Sequence, residues 1–232
     1  VENIYKQWEG GISGFETPPH PHPESFMIGM NYEPDVEKAT ELGRKYDILH
    51  ENAKYYRTTY STFEFDTNER DSEHGNRTTG LMDRMHYHHD MLKGENTCHA
   101  HLTRVLLRSI AREQRYSPDA FTDDFISFLT TPGTQNNDPY KEVALRRWFE
   151  NYSRGVHPSQ CAADQRQIWS VGSTGGMIRP MVLAMLAPNH YQALGVGVEH
   201  SLITQRSLNV YSALGIVVPL IRDMVDGADY SS

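Results

Sequence analysis

Leu102, Val105, Leu106 and Ile110 stand at i, i+3, i+4 and i+8, a single apolar stripe down one face of a helix. In few segments of the 232 residues does hydrophobicity instead alternate with period two, the mark of a half-buried strand. A chain patterned in this way buries helix faces against one another, so the expected fold class is all-α. The helix-start signals agree. "SPDAF" offers Ser117 as an N-cap, with Pro118 at the first helical position, where a missing N–H costs nothing. "DPYKE" repeats the device with Asp138 and Pro139 and predicts a helix from there to about Tyr152. Further helices are expected over 36–58 despite Gly43, over 98–114, after "GSTGG", after "APNHY", and over 205–226.

Elsewhere the pattern breaks. Residues 14–26 hold four prolines, each lacking a donor and fixed in φ, so neither helix nor central strand is expected there. The polar stretch 60–79 reads as a loop. No repeat or linker divides the chain, which predicts a single domain over 1–232 with an irregular N-terminal segment, 1–35. Because it starts at Val1 rather than methionine, it is expected to be processed or truncated, incomplete at both ends.

Charge narrows the function classes. The net charge is −8 and the pI about 5.8, which argues against nucleic acid as a partner, since phosphate contacts need a basic face. No apolar run approaches the roughly 20 residues that span a bilayer, so no membrane association is expected. Cys98 and Cys161 form no CxxC pair, which speaks against a thiolate zinc site, and reduced thiols suit a cytoplasmic protein.

Five stretches invite a chemical reading. "MHYHHDMLKGENTCHAH" carries five histidines, His86, His88, His89, His99 and His101. A zinc helix offers histidines at i,i+4, and none here are so spaced, although a helix–turn–helix about Gly94 would let His86 or His89 meet His99 or His101. Hydrogen-bonding histidines are the favoured reading, and a histidine-bound metalloprotein the weakest alternative. "TDDF" sets Asp123 beside Asp124, the oxygen donors magnesium prefers, but the apolar face of Phe121, Phe125, Ile126, Phe128 and Leu129 turns both acids to solvent. "GSTGGMIRP" places Gly172, Ser173, Gly175, Gly176 and Arg179 at a helix start. There exposed N–H groups and the helix dipole suit a phosphate, and a tight turn for close helix packing suits the sequence equally well. Arg104, Arg108 and Arg112 form a solvated stripe, and Asp223, Asp226 and Asp229 flank a helix end. No nucleophile elbow or catalytic Cys–His pattern is present.

Four blocks together resemble one family. "HYHHDMLKGENTCHAHLTRVLLR" (86–108) looks like the H-Y-H…G-E-N-T stretch of the ADP-ribosylglycohydrolase superfamily, in the branch of jellyfish J-crystallins and selenoprotein J. Residues 116–162 are similar to that branch's next block, with its aromatic helix, N-D-x-Y turn and arginine-rich helix. "GSTGGMIRPMVLAML" (172–186) resembles its G-x-G-x-x-M-R-x-x-P block, and "EHSLITQRS" (199–207) its threonine-histidine block.

The resemblance implies a compact all-α ADP-ribosylglycohydrolase-like domain. It also implies ADP-ribose or an ADP-ribosylated molecule as ligand, with Gly172, Ser173, Gly175, Gly176, Arg179, His86 and His88 as candidate ligand-binding residues. Active members cleave a glycosidic bond to ADP-ribose with magnesium held by aspartates. Here the glycine-aspartate, threonine-aspartate-aspartate and C-terminal aspartate segments are missing, and Gln205 replaces the histidine of the threonine-histidine block. Without that cage the sugar-bond chemistry loses its Lewis acid and its positioned water. The expectation is therefore a non-catalytic, crystallin-like or ligand-binding relative, with catalytic and metal residues unassigned. The alternative is a magnesium-dependent hydrolase whose aspartate segments lie outside this chain.

Overall fold

The structure, a computed structural model, describes residues 8–17, 30–60 and 86–229. Most of the proline-rich stretch, and the polar stretch from residue 61 on, lie outside the described residues. Among the described residues seven α-helices carry the fold: α1 (Val36–Glu41), α2 (Cys98–Glu113), α3 (Pro118–Leu129), α4 (Val143–Ser153), α5 (Gly175–Leu186), α6 (His190–Thr204) and α7 (Leu208–Val225). Two parallel two-residue pairs complete it: β1 (Asn31–Tyr32) with β2 (Arg57–Thr58), and β3 (Ala163–Asp164) with β4 (Gln205–Arg206). The chain is all-α, as its periodicity predicts.

Two expected helices come out differently. The segment 36–58 makes only the short α1, because Gly43 turns the backbone to φ +65°, and a 3₁₀ stretch, His50–Tyr55, follows. Asp138 and Pro139 do not open a helix. The helix starts at Val143, with Glu142 in extended backbone before it. Asp138 spends its carboxylate elsewhere, accepting from the backbone N–H of Cys98 at 2.8 Å and from that of Tyr140 at 3.0 Å. Ser117 does cap α3, accepting from the Ala120 N–H.

Contacts group the described residues into two units. The first takes in the described parts of residues 1–33, 49–98 and 132–141. It is knotted around Asp138, whose carboxylate also meets His88 Nδ1 at 2.8 Å. Beside it the Tyr56 hydroxyl donates to the Pro139 carbonyl and accepts from the Lys141 N–H, at 2.7 and 2.8 Å.

The second unit holds residues 34–48, 99–131 and the described part of 142–232. One part of its core is aromatic. Phe125 of α3 meets Trp148 and Phe149 of α4 at ring separations of 5.1 and 5.5 Å, and Trp148 Nε1 donates to the Ile203 carbonyl of α6. Such pairs add about 0.5–1.5 kcal/mol each beyond the area they bury. The other part packs α5, α6 and α7 on one another through Ala184, Ala193, Val210, Leu214 and Val218. Small residues let the helices approach closely: a Cβ on Gly197 of α6 would lie 3.5 Å from Pro180 of α5.

Candidate functional site: a glycine turn around a buried carboxylate

The glycine turn before α5 is where the second unit concentrates its buried polar groups. α5 begins without a side-chain cap, since Thr174 stands in αR backbone and makes no capping bond. The carboxylate of Glu142 supplies negative charge at that helix start instead. It accepts from Ser173 Oγ at 2.8 Å and pairs with His99 Nε2 at 3.2 Å. A Cβ built on Gly175 would stand 2.8 Å from Glu142 Oε1 and 2.6 Å from the His99 ring. Gly176 is as crowded, its Cβ direction filled by the carboxamide of Gln205, which donates to the Ser173 carbonyl at 3.0 Å. Gly172 faces Ser207 Oγ at 2.9 Å and Gln165 at 3.0 Å. At all three positions only glycine leaves room for the side chains that close over the turn.

Burial pushes the Glu142 carboxyl up. The hydrogen bonds from His99 and Ser173 and the charge of Arg179 outweigh this and leave it below the usual glutamate value. An ionised carboxylate thus sits at the positive end of α5, where a phosphate was one of the two sequence readings. The other reading, a tight turn for close packing, describes Gly175 and Gly176 as they stand.

Arg179 points into the core. It is 1% exposed and donates from Nε to His200 Nε2 and from Nη2 to Thr204 Oγ1, each at 3.0 Å. Because His200 Nε2 accepts, its ring proton sits on Nδ1, which faces Tyr116 Oη at 3.2 Å. Complete burial, and then the Arg179 charge, hold the His200 pKa well below the ordinary 6.5, so the ring is neutral.

These groups predict acid sensitivity in two stages. His200 binds a proton in the unfolded chain below about pH 6.5 but not in the folded one, so stability falls as pH drops from there. Glu142 and Asp138, both held below their ordinary values, contribute stability that is present above about pH 4.5 and lost on further acidification. Thermal melts from pH 8 to pH 3 should show both falls, and His200→Gln should remove the first and leave the second.

The remaining sequence candidates separate. His86 and His88 belong to the first unit, and the glycine turn to the second. His86 Nδ1 accepts from the His88 N–H at 3.0 Å and its ring stacks on Tyr87 at 4.3 Å, while His88 binds Asp138. Residues 86–90 form turns rather than a helix. Asp123 is exposed and Asp124 pairs with Arg112 at 2.9 Å, which is the solvated-face reading. Asp223 pairs with His190 and Asp226 with Arg222. Among the described residues no three His, Cys, Asp or Glu side chains gather as a metal site.

Sequence reading missed Glu142 and His99 as partners of the turn. Assigning the helix start to Asp138 put Glu142 inside a helix and hid it. The available signal was that Glu142 stands directly before the apolar-periodic run from Val143.

A groove of about 610 Å³ opens beside Gly172, lined by Gln165, Arg166, Trp169, Arg206, Leu208 and Tyr211 among others. Trp169 is 83% exposed there. Arg166 is held by Asp164 at 2.7 Å, a contact that draws the Asp164 carboxyl down to about 2.

No protein-family model, curated protein or solved structure matches this chain.

Proposed function

We propose that the chain is an ADP-ribosylglycohydrolase-like protein that binds an ADP-ribosyl ligand without hydrolysing it, a crystallin-like relative of that superfamily. The observation that carries this reading is convergence. The four sequence blocks that resemble the superfamily are separated along the chain, yet three of them bring a side chain, His99, Glu142 and Gln205, to the glycine turn that the fourth supplies. A resemblance arising by chance in four unrelated segments has no reason to assemble one cluster. Gln205, which stands where the resemblance calls for histidine, fills the space over Gly176, so the substitution falls at the turn itself. The groove beside Gly172 offers the ligand a flat face at Trp169 and Tyr211 and a cation at Arg206.

Titration with ADP-ribose, followed by calorimetry and tryptophan fluorescence with and without magnesium, tests the proposal. The expected result is saturable binding in both conditions, weakened at least about tenfold by Trp169→Ala, with no breakdown of an ADP-ribosylated substrate. No binding in either condition overturns the ligand reading, and turnover in magnesium overturns the non-catalytic one.

A further inference from the structure

A second cavity, of about 480 Å³, is lined by the start of α3, the last turns of α6 and the loop after α4. It is separate from the groove beside Gly172, since among the described residues Leu202 alone lines both. Its loop wall is a 3₁₀ turn, Pro158–Gln160. Pro158 fixes φ there, and the Gln160 N–H closes the turn on the His157 carbonyl at 2.8 Å. Ser159 Oγ lies 2.9 Å from His157 Nδ1, and both residues line the cavity. The Ser159 N–H also donates to Nδ1, at 3.4 Å. A ring nitrogen that accepts from a backbone N–H holds the lone pair, so Nδ1 is the basic nitrogen and the Ser159 hydroxyl is its donor.

A hydroxyl within hydrogen-bond reach of a basic nitrogen, on a rigid turn beside open space, is the arrangement of an activated nucleophile. The rest of the wall is acidic. Asp119, Asp123 and Glu199 line it, all exposed, and none pairs with a cation among the described residues. His157 is the one basic group among these lining residues, so the carboxylates favour its protonated form. The same carboxylates draw in a positively charged ligand. Pro118 and Asp119, the first turn of α3, also stand at the wall. First-turn N–H groups have no intrahelical acceptor, which leaves the Asp119 N–H available to a developing oxyanion.

We propose that Ser159 and His157 form a separate catalytic site that hydrolyses cationic carboxylic esters. Ser159 Oγ adds to the ester carbonyl carbon as its proton passes to His157 Nδ1. The bond from that carbon to the leaving oxygen then breaks, and the imidazolium returns the proton to the departing alcohol. Water next adds to the acyl-serine carbon as Nδ1 takes its proton. The bond to Ser159 Oγ breaks, Nδ1 gives Oγ that proton, and the carboxylic acid leaves. The three carboxylates hold the substrate's positive charge and steady the imidazolium between transfers. The site stands apart from the ADP-ribosyl reading and does not rest on it.

Acetylthiocholine, a cationic thioester whose released thiol is read by colour, is the probe. The whole chain should hydrolyse it. Ser159→Ala and His157→Gln should each lower kcat/KM at least about a hundredfold, with an unchanged circular-dichroism spectrum because both positions are exposed. Asp123→Asn combined with Glu199→Gln should raise KM about tenfold. Phenylmethylsulfonyl fluoride should leave its adduct on Ser159, located by peptide mass mapping, and His157→Gln should prevent it. No turnover of acetylthiocholine overturns the proposal, as does turnover that Ser159→Ala leaves intact. An adduct on a residue other than Ser159 overturns the assigned nucleophile, and a KM indifferent to the two acids overturns the preference for a cation.

Discussion

Arg179→Ala should lower the unfolding free energy by about 3–5 kcal/mol, the cost of removing one partner from a buried charged cluster. The guanidinium is almost wholly enclosed and serves two acceptors, His200 and Thr204, at the same time. Without it, His200 Nε2 and Thr204 Oγ1 are left dry, and Glu142 loses a nearby positive charge. Arg179→Lys should recover only a minor part, because a single ammonium cannot span the two acceptors that the planar fork reaches. Urea unfolding followed by circular dichroism reads both variants. A shift in midpoint at constant slope assigns the loss to the folded state. A loss under about 1 kcal/mol for Arg179→Ala would show that the cluster is not the anchor its burial indicates.

Gly176→Ala should destabilise by about 2–3 kcal/mol, the upper part of the range for forcing an extra methyl into a packed site. The added carbon meets the carboxamide of Gln205, which is fully buried and tied to the Ser173 carbonyl, so it has nowhere to swing. Gly195→Ala in α6 is the matched comparison. Nothing lies within 4 Å of its Cβ direction, and alanine there should add about 0.5–1 kcal/mol of stability through helix propensity. Opposite signs for the same chemical change, within two helices packed on each other, separate crowding at the turn from any general effect of replacing glycine. Truncating the obstacle should then couple: Gln205→Ala with Gly176→Ala should lose less than the sum of the two single changes.

Helix existence was legible in the sequence because it depends on short-range periodicity and local caps. The stripe from Leu102 to Ile110 and the Ser117-Pro118 start both stand where they were expected. Asp138-Pro139 carried the same local signal and was misleading. Its carboxylate had a better use, binding His88 and the Cys98 N–H from 50 and 40 residues away, and no local pattern reports a partner at that distance. The site follows the same division. The glycine turn was visible as composition, and its two readings were equally good until the neighbours of each Cβ direction were known. What fills the turn, Glu142 from the start of α4, His99 from α2 and Gln205 from the end of α6, is a product of tertiary folding. The histidine block shows the converse. Its abundance suggested a metal clasp and its spacing did not, and His86 and His88 serve hydrogen bonds within a turn.

Asp138 gives α2 a cap that arrives from 40 residues downstream. Most helices carry their first-turn acceptor with them and can begin as local, self-sufficient segments. The Cys98 amide gains its acceptor only after a long loop has closed, at an entropic cost that grows with the logarithm of loop length. Amide exchange at Cys98 should therefore report loop closure rather than helix propensity, slowing only when Asp138 and His88 are in place. The start of α2 thus depends on a residue outside the helix, 40 positions downstream.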